Sequence, residues 1–356
     1  MRIMLRLIAR RALSTAAPRR VRTAPHARVT VRGGAHGGDV AFSTNMESDV
    51  ATISATACGV ALDTATALSV AHDGADFEVL AEGNAGVSLA ISVPSSFTVV
   101  ACRAGRPSNV RVDGWIEGGV ELTTERGDVS VRTVRGMLTT LATGEGHVCA
   151  EMIEGDARMS TGRGSVSIGK LQGKVLHASS AHGDVTARAI YCHDARLSAR
   201  AGSVKLGFLH TERATIEVAA GEVRIDALDG GACVRATDGG RIRVQLSDGA
   251  RELELHADGD VEVLVPEHLA FRAEANGIGV HCDPALQGLV THDAQSGDTR
   301  TVRLARAPPA GGAPADGLPA GSPVVRATST AGTVRFLAHS WLDRFKTAQP
   351  GGTAPA

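Results

Sequence analysis

Cysteine, histidine and carboxylate side chains are where this sequence could carry chemistry, and their spacing argues against most of it. Cys58, Cys102, Cys149, Cys192, Cys233 and Cys282 stand about 40 residues apart and form no Cys-x-x-Cys pair, the close spacing zinc sites use. Free thiols in a reducing compartment are the expectation, ahead of a disulfide framework. A second set follows regularly recurring glycines: Asp128, His147, Ser165, Asp184, Ser203, Glu222, Arg241 and Asp260. Stacked in a column, Asp128, Asp184 and Glu222 would invite calcium. The calcium-binding β-roll repeat Gly-Gly-x-Gly-x-Asp-x-U-x is absent, however, and His, Ser and Arg in the same column point to a solvated turn.

A third set, Glu217, Arg224, Asp226, Arg243 and Glu254, has the residue types of a parallel β-helix enzyme acting on acidic sugars. Alternating signs are also the usual way to keep a sheet soluble. His177 occupies a slot that is apolar elsewhere, while His147, His182, His193 and His210 fall in turns. No Ser-His-Asp arrangement, phosphate loop or dinucleotide fingerprint follows from any spacing, and the glycine-rich run from Gly33 to Gly38 lacks a following helix. The expectation is no catalytic residue, no metal and no cofactor.

The elements that must position these residues are short strands. Between Gly118 and Pro266 a strand restarts about every 9 to 10 residues, after Gly127, Gly146, Gly164, Gly183, Gly202, Gly221, Gly240 and Gly259 among others. Val129 and Val131, Val166 and Ile168, Val204 and Leu206, and Val261 and Val263 repeat one alternation of period two. That puts them on a buried face and Ser130, Ser167, Lys205 and Arg224 on a wet one. Strong and weak units alternate, so one coil is two strand units, about 19 residues. The fold class is all-β, a single-stack β-solenoid with capped irregular ends, with an antiparallel sandwich as the other architecture. Aromatics are 3% of the chain against 43% apolar residues, which suits a narrow lumen packed with Val, Ala, Leu and Ile.

The first 38 residues hold nine arginines and no acid, with Ile3, Leu5, Leu7, Ile8 and Leu13 between them. Arg2, Arg6 and Arg10 at helical spacing make this the composition of an organellar transit peptide, mitochondrial first and chloroplast second. They also break any membrane span. The divisions are therefore a disordered transit peptide over 1–28 and a solenoid over 29–304, regular over 118–266. A Pro/Ala/Gly-rich loop follows over 305–322, then returning strands and a cap over 323–346, and a disordered tail over 347–356. Val93-Pro94 and Val265-Pro266 bracket the best repeats, and each proline belongs at a strand end or edge. Val334 and Phe336 take the buried slots of a returning unit expected to rejoin and finish the stack. Trp341, Arg344 and Phe345 form an apolar end cap or a partner-docking peptide.

Val-Pro-x-x-Phe, Gly-Asp-Val-Ser-Val at Gly127 to Val131, Gly-Ser-Val-Ser-Ile at Gly164 to Ile168, and Thr-x-x-Gly before several strands together resemble an adhesin-like β-solenoid family. That family is a mostly bacterial group of domains of unknown function with a small eukaryotic branch of organellar character. The likeness covers roughly Gly38 to Cys282 plus the strand near Gly332. It implies a right-handed solenoid with no established activity, and supplies no catalytic residue to carry over.

Without the arginine-rich leader the body has a formal charge near −10, which disfavours nucleic acid. The expected function is a non-catalytic scaffold or protein-binding module in mitochondria, with an unknown protein partner or self-association and no membrane span. A β-helix enzyme acting on carbohydrate or lipid, and a self-assembling structural solenoid, are the alternatives.

Overall fold

A computed structural model describes residues 3–8, 19–22, 26–33, 38–45, 50–57, 67–73, 76–82, 87–103, 107–306 and 322–339. The chain divides into two compact units, Met1–Ala199 and Arg200–Ala356. The fold is a β-solenoid of about 8 turns with ~19 residues per turn.

The first unit opens with β1 (Ile3–Ile8), β2 (Arg19–Arg22), β3 (Arg28–Gly33), β4 (Val40–Asn45), β5 (Val50–Ala57), β6 (Ala67–Asp73), β7 (Asp76–Glu82) and β8 (Val87–Pro94). It continues with β9 (Thr98–Arg103), β10 (Val110–Ile116), β11 (Val120–Arg126), β12 (Val129–Glu145), β13 (Val148–Arg163), β14 (Val166–Gln172), β15 (Val175–His182) and β16 (Val185–Ala201). In the regular part every strand pairs in parallel with its equivalent one coil away. Val129 stacks on Val148, Val166 and Val185, and Val134 on Ile153, Leu171 and Ile190. All eight side chains are buried, and burying an aliphatic side chain of this size contributes about 1.5–3 kcal/mol. Period-two alternation thus becomes columns of Val, Leu and Ile inside the coil.

The corners need glycine. Gly146 and Gly155 hold φ of +146° and +137°, and a β-carbon on either would fall on the carbonyl oxygen of the glycine one coil below, Gly127 or Gly136. The Thr-x-x-Gly signature gives these corners a second device. Thr143 Oγ1 donates to Gly127 O, Thr161 Oγ1 to Gly146 O and Ser180 Oγ to Gly164 O, each at 2.8 Å, so a buried hydroxyl ladder ties each coil to the corner before it.

The second unit contains β17 (Val204–Ala220), β18 (Glu222–Ala236), β19 (Arg241–Leu246), β20 (Glu252–Ala257), β21 (Val261–Pro266), β22 (Phe271–Gly277) and β23 (Gly279–Cys282). After the short helix α1 (Pro284–Gln287) come β24 (Val290–Ser296), β25 (Thr299–Arg306), β26 (Val324–Ser329) and β27 (Thr333–His339). Its columns repeat those of the first unit: Val204, Val223, Ile242 and Val261 stack in register and are buried. The hydroxyl ladder does not continue here. The stacked positions are Val218, Ala236 and Ala257, all buried, until Ser329 restores a bond to Gly259 O at 2.8 Å.

Both ends depart from sequence order. Near the start, β3 lies between β7 and β9, and β4 between β8 and β10, all parallel. The first coil is therefore inserted between two coils that follow one another in the chain. Near the end, β26 lies between β20 and β22, and β27 between β21 and β23. The returning unit does rejoin the solenoid, but it does not finish it; it takes the penultimate place, and β22 and β23 form the coil beyond it. The reason is the antiparallel β25, which already occupies the outer edge of β22, with β24 beyond it. Antiparallel β5 and β6 cover β8 and β7 in the same manner.

The two Val-Pro sites are where the chain skips the inserted coil. Pro94 and Pro266 each end a strand. Phe97 N–H and Leu269 N–H close the turns onto Pro94 O and Pro266 O, at 3.2 and 3.1 Å. The chain then bonds to the inserted coil's entry: Thr98 N–H to Ala27 O at 3.1 Å, Arg272 N–H to Pro323 O at 2.9 Å. Phe42, Phe97, Phe271 and Phe336, the largest fully buried side chains among the described residues, all belong to these crossings or inserted coils. Rings fill the lumen at the ends, and aliphatic residues fill it between.

Ile3–Ile8 and Arg19–Arg22 are strands, paired antiparallel with β6 and β5, where the arginine spacing suggested a helical face and a disordered leader. Open edges of β5 and β6 give this stretch a backbone partner that composition alone does not reveal. Trp341, Arg344, Phe345 and residues 307–321 lie outside the described residues.

Candidate functional site

The column after each corner glycine is not simply a solvated turn. Asn109 N–H donates to Asp39 Oδ1 at 2.9 Å, Asp128 N–H to Asn109 Oδ1 at 2.8 Å, and His147 N–H to Asp128 Oδ1 at 2.7 Å. Ser165 N–H then donates to His147 Nδ1 at 3.1 Å. Each of these side chains satisfies the backbone of the next coil, so of the would-be calcium ligands Asp128 has Oδ1 committed to a peptide N–H. In the second unit Asp260 Oδ1 accepts from Thr333 N–H at 3.0 Å and from Thr333 Oγ1 at 2.8 Å. Those two bonds, then Arg335 and Arg241, hold the Asp260 carboxyl below its ordinary range.

The outward charges do not converge. Arg224, Asp226 and Arg243 lie on the first arm of their coils, and Glu217 and Glu254 on the second. Four of the five resolve into local pairs: Arg224 with Asp226 at 2.7 Å, Arg243 with Glu262 at 3.0 Å, and Glu254 with Arg326 at 3.5 Å. Among the described residues no three His, Cys, Asp or Glu side chains gather as a metal would require. Among the described residues Cys149, Cys192, Cys233 and Cys282 form no disulfide. Burial, then Glu151, pushes the Cys149 thiol up, and burial raises Cys282, which favours the protonated thiol in both.

Two surface features of the first unit remain. One is a cleft of about 520 Å³ lined by Glu151, Ser167, Gly169, Thr186 and Arg188. A β-carbon at Gly169 would fall on Glu151 O, so the two coils approach closely at this step. An acid on one coil and a guanidinium two coils on flank this bare step, an arrangement suited to hydrogen-bonding a polar chain.

The other is an apolar corner. Trp115 and Leu138 are 45% and 42% exposed, and Met137 is 93% exposed. The Met137 exposure has a backbone cause: between Arg135/Glu154 and Leu138/Asp156 the β12 strand carries one more residue than β13, a bulge that turns Met137 outward. Arg135 lies over the Trp115 ring at 5.3 Å and reaches Glu154 at 3.1 Å. A cation over a ring face in this geometry is worth about 0.5–1 kcal/mol at an exposed site, enough to orient the indole. The same bulge recurs in the second unit between Thr211 and Ala214, where Glu212 and Arg213 stand against Gly231 alone. The glycine ruler alone does not single out this corner. The available signal was an apolar pair directly after a corner glycine, where later coils place Asp156, Lys174 and Asp194.

Residues 155–300 match the family model Toastrack DUF4097. That agrees with the likeness to an adhesin-like solenoid read from the sequence, over this segment. Two solved structures are similar at low identity. A candidate cell adhesion protein from Clostridium sporogenes is 7% identical, with 91% of this chain and 99% of that one covered, at a TM-score of 0.19. A candidate adhesin from Bacteroides fragilis is 11% identical, with 91% and 96% covered, at 0.30. No curated protein matches. Among the described residues no helix is long and apolar enough to cross a membrane.

Proposed function

We propose that the chain is a non-catalytic binding module of mitochondria that docks a protein partner through the bulged corner of its first unit. One observation carries this reading: a bulge holds Met137 93% exposed beside Leu138, and Trp115, on the preceding coil under Arg135, is 45% exposed, in a chain with 3% aromatic residues. Trp, Met and Arg are the side chains enriched where protein interfaces bury their centres. The matching bulge in the second unit is polar, so the apolar character is not needed to make the turn. The partner this corner fits is a protein offering an aliphatic or aromatic anchor. Mitochondria are supported by the acid-free, arginine-rich first 38 residues. Catalysis is disfavoured by outward charges that pair locally, and end-to-end assembly by the polar β24 lying beyond the last coil.

The test is the native size of the tagged chain in detergent-free extracts of isolated mitochondria, beside its Met137→Glu and Trp115→Ala forms. The expected result is a discrete larger complex that both substitutions weaken, Trp115→Ala by roughly thirtyfold or about 2 kcal/mol. A lone monomer, a complex indifferent to both changes, or absence from mitochondria would overturn the reading.

A further inference from the structure

The two inserted coils solve the same geometric problem with very different lengths of chain. At the start, the chain leaves β4 on one edge of β8 and enters β5 on the other, and residues 46–49 suffice for the crossing. At the end, it leaves β25 on one edge of β22 and enters β26 on the other. Arg306 stands opposite Phe271 and Val324 opposite Arg272. Both gaps are two strand spacings, roughly 10 Å. The second is bridged by residues 307–323, a stretch of Ala, Pro and Gly with one Asp, one Leu and one Ser, whose reach is about 60 Å. This length far exceeds what the fold requires.

Effective concentration falls roughly as the −3/2 power of tether length, so a long tether weakens the advantage of the attached strand pair over one offered from outside. The docking contacts are those of any coil: β26 and β27 pair on both edges, Val325, Ala327, Val334 and Phe336 fill the lumen, and Asp260 and Glu252 hold Thr333 and Arg326. Nothing in them requires the strands to come from the same chain. We propose that the space between β20–β21 and β22–β23 is an acceptor site for an extended strand pair, and that residues 324–339 of a second copy of this chain occupy it in exchange with the chain's own. This inference is independent of the bulged corner of the first unit.

The test pairs Arg272→Cys in one copy with Val324→Cys in another, one of them ¹⁵N-labelled so that linked peptides reveal their chains of origin. The double variant in a single chain serves as the control. After equilibration and mild oxidation, the mixture should give a 272–324 disulfide between chains that increases with protein concentration. Cutting the 307–323 connection to four residues should lower it about tenfold. If the double variant links within its own chain while the mixture gives no interchain bond, the strands are fixed in place and the proposal fails. It fails equally if the double variant does not link, because the strands then do not occupy the site.

Discussion

The coil at 28–45 and the coil at 324–339 are inserted alike, yet four residues join one to its cap and seventeen join the other. Both sit between sequence neighbours, both are skipped by the chain at a Val-Pro turn, and both are packed with buried phenylalanine. What differs is how much else must move when the coil opens. Residues 46–49 link the first coil directly to the cap strand β5, so opening one strains the other. The long connection lets the last coil open while β24 and β25 stay paired. Similar contacts can therefore produce a cooperative element at one end and a separable one at the other.

The largest expected effect comes from emptying the two packed ends. Phe42→Ala and Phe336→Ala should each cost about 3–5 kcal/mol. Limited proteolysis separates them: Phe336→Ala should open sites confined to 324–339, whereas Phe42→Ala should expose β5 to β8 as well. Equal and delocalised cleavage in both would break the comparison.

A smaller effect is expected from the hydroxyl ladder. Thr161→Val removes the donor to Gly146 O and should lower stability by about 1 kcal/mol in chemical denaturation. The analogous positions of the second unit are already Val218, Ala236 and Ala257, so Ala257→Val should show no comparable loss of a hydrogen bond. The smallest effect is acid sensitivity. Asp260 has a folded-state value depressed from its ordinary 3.8 by the two Thr333 bonds. Its contribution is therefore present above the unfolded value and is lost as pH falls through the folded one. Hydrogen exchange in 333–339 should accelerate below about pH 4 in the native chain. In Asp260→Asn the acceleration should vanish.

The regular coils were legible because their information is local. Gly127, Gly146, Gly164 and Gly183 mark corners, and Val129, Val148, Val166 and Val185 mark the lumen, whichever neighbour they stack on. The Val-Pro sites at 93–94 and 265–266 were visible as interruptions. Their meaning was not, because skipping a coil depends on a segment 50 residues or more away in the chain, such as Val29 under Val99 or Val324 beside Arg272. The candidate corner was hidden for a different reason. Met137 reads as one more apolar residue in a strand until the register shift against β13 shows that it has no lumen position to take. Glu217 and Glu254 looked close to Arg224 in sequence phase, but they belong to the other arm of the coil.

The most direct test of the central claim, that tether length distinguishes two otherwise similar inserted coils, is hydrogen exchange of the intact chain followed segment by segment. The account expects amides of 324–339 to exchange through a local opening, faster than those of β20, β21 and β22 on either side, while amides of 28–45 exchange only together with β5 to β8. Uniform protection across 252–282 and 324–339, with no opening specific to the last coil, would contradict it.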